Sequence, residues 1–343
     1  MKRYNGLYQA MYDMTNIREA HKHAKKGKLH YREVGMIDAD PEKYMSEIKR
    51  LLELKIFQNS PYTLFQKLDR SSNKIRIIHK LPYFPDRIIH HCIVQILEPI
   101  WMKTLIKDTY SSLKGRGIHA GVKRLKVAIK DVENTRYCLK MDVKQFYPSI
   151  DHEILMSVIE SKIKDRDVLW LLRVIVDSHA PGVPIGNYLS QFFGNIFLSG
   201  LDHMAKEVLG CKYYFRYCDD IVILGPDKEW LHQIRKDIQR FLQDRLKLEL
   251  KGNYQIFPVD SRGIDFLGYR FFHGYTLLRK SIANRFKQKM MVIHNKWETM
   301  PDTQIVNSVM SYKGWMCHAN CKRLSEKYID WNIFNKVTQK EVI

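Results

Sequence analysis

The sequence predicts an α+β fold built on an antiparallel sheet, and three observations carry that prediction. YCLKMD at 137–142 and YYFRYCDDIVIL at 213–224 are rich in aromatic and β-branched residues and have strand length. The second stretch, interrupted by Asp219 and Asp220, has the form of a hairpin, which pairs antiparallel. Helical periodicity fills the segments between and after these strands, so strands and helices do not alternate strictly as they do in a parallel sheet.

Along the chain, KHAKKGK at 22–28 is a charge run, a solvated face that can also touch a nucleic-acid backbone. PEKYMSEIKRLLELKI at 41–56 is helical, with Tyr44, Ile48, Leu51, Leu52 and Ile56 near one stripe. KIRIIHKLPYFPDRIIHH at 74–91 starts as an alternating strand, turns at Pro82 and Pro85 and enters a helix. YCLKMD delivers Asp142 at a strand end. Asp151 caps a helix that buries Ile154, Leu155, Val158 and Ile159. A glycine-bearing loop, GVPIG at 182–186, leads into one long helix, SQFFGNIFLSGLDHMAKEVL. After the hairpin come an amphipathic helix, WLHQIRKDIQRFLQDRLKL, two strand-like stretches around LELK and FLGYRFF, and a mostly helical tail from about residue 280.

Composition narrows the function. With 343 residues, 45% hydrophobic and 27% charged, the chain is long enough for one large domain or two to three lobes, and no repeat or linker divides it. No apolar run approaches the ~18 residues of a membrane span, because Arg173 breaks WLLRVIV, and MKRYNGLYQAMYD lacks the apolar core of a secretory signal. The expectation is a cytoplasmic protein. Six cysteines without CxxC pairing suit a reducing compartment, and Cys317, His318 and Cys321 are too few for a structural metal site. Fifty-seven Lys and Arg against 37 Asp and Glu give a net charge of +20, which favours a polyanionic partner, nucleic acid before others.

Asp219 and Asp220 sit awkwardly in an otherwise apolar hairpin, since burying an unpaired carboxylate is costly. A solvated turn accounts for them in one reading. In the other, Asp142, 77 residues before Asp219, lies on a neighbouring strand, and three converging carboxylates hold divalent cations of the Mg²⁺ or Mn²⁺ class. Two such ions about 4 Å apart are the standard clamp for in-line attack on a phosphate.

The stretch MDVKQFYPSID followed by YCDD resembles motifs A and C of reverse transcriptases. The ordered set extends the resemblance: KIRIIHKLPYFPDRII and LKGRGIH in a finger region, GVPIGNYLSQFFGN as motif B, LELK near motif D, FLGY as motif E, and SYKGWMCHAN, similar to the thumb of bacterial intron-type enzymes. The resemblance implies a right-hand polymerase with fingers, an antiparallel-sheet palm and a helical thumb. Residues 1–70 would form an N-terminal helical extension, 71–137 the fingers, 138–278 the palm with a finger-like insertion at about 152–184, and 279–343 the thumb.

By the same resemblance, Asp142, Asp219 and Asp220 are the catalytic carboxylates, and they hold two Mg²⁺ ions together with Val143, Mn²⁺ being the alternative ion. Tyr147 matches the aromatic steric gate against a ribose 2′-hydroxyl, with Phe146 beside it. Arg76, Lys114 and Arg116 take finger-region positions that grip the triphosphate, a task for which Arg forks and Lys point charges both serve. Ile185, Gly186, Ser190 and Gln191 belong to motif B. Tyr254 stands where motif D usually carries a lysine, and Lys251 is the nearest replacement as general acid for pyrophosphate.

Motif B departs from the usual Gln-Gly-x-x-x-Ser-Pro at both ends. Ile185-Gly186-x-x-x-Ser190-Gln191 resembles the reverse transcriptases of diversity-generating retroelements, which make error-rich cDNA from a template RNA for mutagenic retrohoming into a variable gene. An aliphatic side chain beside the nascent pair fills space without testing its hydrogen bonds, which lowers selectivity. The resemblance implies template RNA, a DNA or RNA primer, dNTPs and a basic accessory protein as partners, and no membrane. Two alternatives remain open: an antiphage-defence, retron or group II intron-like reverse transcriptase, and a non-catalytic RNA-binding maturase.

Overall fold

Among the described residues, nine strands form three separate antiparallel sheets: β1 (Thr63–Asp69), β2 (Lys74–Lys80), β3 (Tyr137–Asp142), β4 (Tyr213–Tyr217), β5 (Asp220–Gly225), β6 (Gln255–Pro258), β7 (Ile264–Phe266), β8 (Tyr269–Phe271) and β9 (Thr276–Leu278). The structure is a computed structural model that describes residues 3–69 and 74–340; the expected boundary between the extension and the fingers, in 70–73, and the last three residues of the expected thumb lie outside the described residues. The central sheet has the order β4-β5-β3-β6, β1 pairs with β2, and β7, β8 and β9 form a meander.

The central sheet is covered on both faces, which is why β5 is apolar at every position after Asp220. Period-two alternation divides its side chains between two cores. Leu139, Met141, Tyr214, Ile221 and Ile223 join the larger core, with the helices Ile88–Met102, His152–Glu160, Ser190–Phe197 and Lys228–Leu246. Cys138, Phe215, Val222 and Leu224 join the second core, with the β7–β9 meander and the helices Lys280–Lys296 and Asp302–Met316. Asp142, Lys140 and Asp220 share the second face, at its open end, where the apolar ladder stops.

The helix expected from Asp151 is present as His152–Glu160, with the Asp151 carboxylate accepting from the Ile154 amide at 3.0 Å. The expected helix at 41–56 ends at Glu53; Met45, Ile48 and Leu52 carry its buried stripe, and Ile56, beyond the helix, is exposed.

Three expectations are corrected. Residues 1–70 are not wholly helical: β1 lies within them and pairs with β2 along its full length. The long helix after the glycine loop is broken into Ser190–Phe197, Ser199–His203 and a wide turn at Met204–Val208. LELK is not a strand. Its backbone runs beside Asp142–Lys144, with the Lys144 amide bonded to Glu249 O at 2.8 Å and the Lys251 amide to Asp142 O at 2.9 Å, but it makes a single bridge before Gly252 and Asn253 turn the chain. The regular sheet edge is β6 instead. Among the described residues no helix is long and apolar enough to cross a membrane.

Candidate active site

The strand register assembles the acidic groups. Asp142, the last residue of β3, faces Asp220, the first of β5, and the Val143 amide donates to Asp219 O at 3.3 Å. The turn between β4 and β5 is therefore docked on the end of β3. Cys218, at the turn, has a left-handed backbone with φ of 55°, a conformation uncommon for a residue with a Cβ.

The three carboxylates are half-buried and unevenly partnered. Asp142 Oδ1 receives Lys251 Nζ at 2.6 Å, and Lys140 Nζ lies 3.4 Å from Asp220 Oδ2 while also donating to Asp265 O. Asp220 Oδ1 is buried with no hydrogen-bond partner. Burial pushes the Asp219 carboxyl up to about 6, with the Asp142 charge adding to the effect; burial likewise pushes Asp220 to about 6 against the opposing pull of Lys140. Both shifts come chiefly from withdrawing the carboxylates from water, and the nearby lysines do not offset that cost.

No cluster of three or more His, Cys, Asp or Glu side chains stands at metal-binding geometry among the described residues, and Asp142 is engaged by Lys251. The donor set nonetheless fits a divalent cation: hard carboxylate oxygens brought together at the strand ends, one of them buried and orphaned.

Around this centre, Tyr147 Oη lies 3.2 Å from Cys218 Sγ, and Ser111 Oγ is 3.0 Å from the same sulfur. Burial raises the Tyr147 phenol well above its usual range, so it stays protonated. Phe146 is buried in the core, with its ring centroid 5.2 Å from that of Tyr147. Ile185 is half-buried and its carbonyl accepts from the β2 amide of His79 at 2.8 Å, which ties motif B to the β1–β2 hairpin. Gly186 is required by that contact: its φ is 117°, and a Cβ there would lie 2.6 Å from His79 O. Ser190 Oγ is buried without a partner, whereas Gln191 is exposed.

Of the three finger-region cations, Lys114 and Arg76 are exposed. Arg116 is half-buried, and its guanidinium donates to Ile106 O at 2.7 Å and to Leu105 O and Met102 O at 3.5 Å, beside the end of the Ile88–Met102 helix. Lys140 and Ser111 were missed. Both reach the site through contacts between distant segments, and the one sequence signal was the polar Lys140 two positions before Asp142 in an apolar strand.

Residues 65–271 match the family described as reverse transcriptase (RNA-dependent DNA polymerase). The chain belongs to the reverse transcriptase family. Among curated relatives of this family member, protein YkfC of Escherichia coli (strain K12) is 24% identical over 247 residues, covering 59% of this chain and 65% of that protein. The group II intron-encoded protein LtrA of Lactococcus lactis subsp. cremoris is 22% identical, covering 68% of this chain and 51% of that protein. The chain thus spans between half and two thirds of the relatives' own lengths. A solved telomerase from Candida albicans, in complex with a fragment of telomeric RNA, superimposes with a TM-score of 0.51 at 12% identity, over 73% of this chain and 55% of that one. That likeness supports the right-hand polymerase fold. Reverse transcriptases generally use divalent metal ions, which agrees with the donor chemistry of the site.

Proposed function

We propose that the protein is an RNA-directed DNA polymerase that extends a DNA or RNA primer along a template RNA with dNTPs. The observation that carries this reading is the direct pairing of Asp142 with Asp220 across β3 and β5, with Asp219 in the adjoining turn. Divalent cations held by these carboxylates and the Val143 carbonyl would activate the primer 3′-hydroxyl and neutralise the leaving pyrophosphate. The remaining work falls to this chain's residues. Tyr147, backed by Phe146, sits under the incoming sugar and rejects a 2′-hydroxyl. Arg76 and Lys114 bind the triphosphate. Gly186, Ser190 and Gln191 shape the floor beside the nascent pair, and Lys251, whose ammonium lies 2.6 Å from Asp142 Oδ1, is the proton donor to pyrophosphate. In this reading 71–137 are the fingers, 138–278 the palm with its insertion at about 152–184, and 279–343 the thumb.

In primer extension with Mg²⁺, Asp219→Ala combined with Asp220→Ala should abolish product while the thermal unfolding profile stays cooperative. Activity surviving that pair of changes would remove the carboxylate mechanism. The assay includes the basic accessory protein and template RNA as well as the isolated chain.

Within this activity we favour the diversity-generating type, supported by Ile185 and Gln191 at the two ends of motif B. The likeness to YkfC and LtrA supports a group II intron-like enzyme as the second reading. Sequencing the cDNA separates them: errors concentrated at template adenines favour the first, and errors spread evenly over the four bases favour the second. Ile185→Gln should lower the error rate, because an amide beside the nascent pair restores a hydrogen-bond test of its geometry.

A further inference from the structure

Arg216 is a charge with no access to water, and so is its partner Asp202. The guanidinium grips Asp202 through Nε at 2.7 Å and Nη2 at 2.6 Å, and Asn195 through its backbone oxygen at 3.2 Å and Oδ1 at 3.3 Å. One further bond leaves this cluster. Nη1 donates to the carbonyl of Cys218 at 2.9 Å, the left-handed residue that immediately precedes Asp219. Asp202 is held in turn by Tyr214 Oη at 2.7 Å and Thr109 Oγ1 at 3.0 Å, and Asn195 Nδ2 holds Ser111 O at 2.7 Å, the residue whose hydroxyl meets Cys218 Sγ.

We infer that Arg216 is a positioning residue whose guanidinium, fixed by Asp202 and Asn195, holds the Cys218 carbonyl and thereby the turn that presents Asp219 and Asp220 to Asp142. Stability alone does not call for this arrangement, since well-packed apolar residues commonly replace a buried ion pair without loss. Geometry does call for it. A planar fork can bond a carboxylate, a carboxamide and a turn carbonyl at once, whereas a lysine ammonium at the same place can satisfy Asp202 but not also reach Cys218. Cys218 needs the support because a side chain disfavours its left-handed backbone. The inference concerns the turn itself, and its kinetic consequence rests on the polymerase reading above.

Three variants test it: Arg216→Lys; Arg216→Lys with Cys218→Gly; and Arg216→Gln with Asp202→Asn, which leaves a neutral pair that can hydrogen-bond in place of the buried charges should the lysine variant not fold. Each is compared with wild type by thermal unfolding, by hydrogen exchange of the peptide spanning 214–221, and by primer extension. With melting nearly unchanged, exchange in that peptide should rise and kcat should fall by about 10- to 100-fold, the scale of a misplacement near 1 Å, while KM for dNTP stays close to wild type. Cys218→Gly should recover part of the kcat lost in Arg216→Lys, because glycine enters the left-handed turn without a steric penalty. Unchanged exchange in either fold-competent variant overturns the inference, as does raised exchange with unchanged kcat. A kcat loss that merely parallels lower melting also overturns it, because Arg216 would then be holding the fold as a whole. If wild type extends no primer, the polymerase reading fails, and the exchange arm still decides whether Arg216 holds the turn.

Discussion

Replacing Asp219 and Asp220 together by asparagine is expected to yield a protein that melts later than wild type in chelator at pH 7 yet extends no primer. Both carboxyls are pushed from 3.8 to about 6, chiefly by burial, with Asp142 adding repulsion. A carboxyl whose folded pKa exceeds its unfolded value binds more protons in the native state between the two. Unfolding free energy therefore falls as pH rises from about 4 to about 6 and stays lower above that window. At 1.36 kcal/mol per unit, and with solvent reaching 27% of the Asp220 side chain, the penalty is on the order of 1–2 kcal/mol per residue. Asparagine has similar shape and no charge, so it lifts the penalty and also removes the anionic oxygens a cation needs. Magnesium should reverse the ranking: an ion that binds only the native state stabilises wild type by about 2.7 kcal/mol at a hundred times its Kd, and leaves the variant unmoved. Melting curves at pH 4, 6 and 8, with chelator and with Mg²⁺, check this. A wild type indifferent to Mg²⁺, or a variant no more stable above pH 6, would contradict the picture of acids crowded together for metal binding at the fold's expense.

The same crowding explains what the sequence made legible. β3 and the β4–β5 hairpin stood out because aromatic and β-branched residues fill them and because two aspartates there violate the pattern, so an anomaly marked the site. Strands without such contrast escaped notice. β1, TLFQKLD, belongs to a two-stranded hairpin with Leu64, Phe65 and Leu68 exposed, so no buried face imposes alternation on it. β6, QIFP, is four residues at a sheet edge and gives periodicity almost nothing to act on. LELK looked like a strand because its leucines alternate, yet Gly252 and Asn253 end it after one bridge. Arg116 and Arg216 show the limit most clearly. Both are basic residues inside a motif: Arg116, in LKGRGIH, meets carbonyls at the end of a helix, while Arg216, in the hairpin, reaches the turn before Asp219. Arg116 meets carbonyls 10 to 14 residues before it, and Arg216 is aimed at a carbonyl two residues on by Asp202 and Asn195, 14 and 21 residues before it; local pattern carries no trace of either approach.

Gly182→Ala is expected to destabilise the protein by about 2–4 kcal/mol and to relax discrimination against ribonucleotides, both through Tyr147. Gly182 has φ of 64°, and a Cβ on it would lie 2.3 Å from Tyr147 O and 2.5 Å from Pro148 C and O. These are backbone atoms, so no side-chain rotation relieves the overlap and one of the two segments must retreat. The loop cannot do so freely: the Gly182 carbonyl meets His152 Nε2 at 2.9 Å, and the Val183 amide holds Tyr147 O at 3.0 Å. The segment 147–148 is then displaced, and with it the ring whose hydroxyl rests on Cys218 Sγ. Gly210→Ala isolates the conformational part of the cost, because Gly210 has nearly the same φ, 63°, and nothing within 4 Å of its would-be Cβ. That control should lose about 1–2 kcal/mol, the ordinary penalty for a side chain in the left-handed region, with discrimination unchanged. The excess loss at Gly182 measures the steric push on Tyr147, and the ratio of kcat/KM for dNTP over rNTP reads where the push goes. Equal losses in the two variants, or a lower melting point at Gly182 with the ratio intact, would mean that the loop yields and the gate stays where it is.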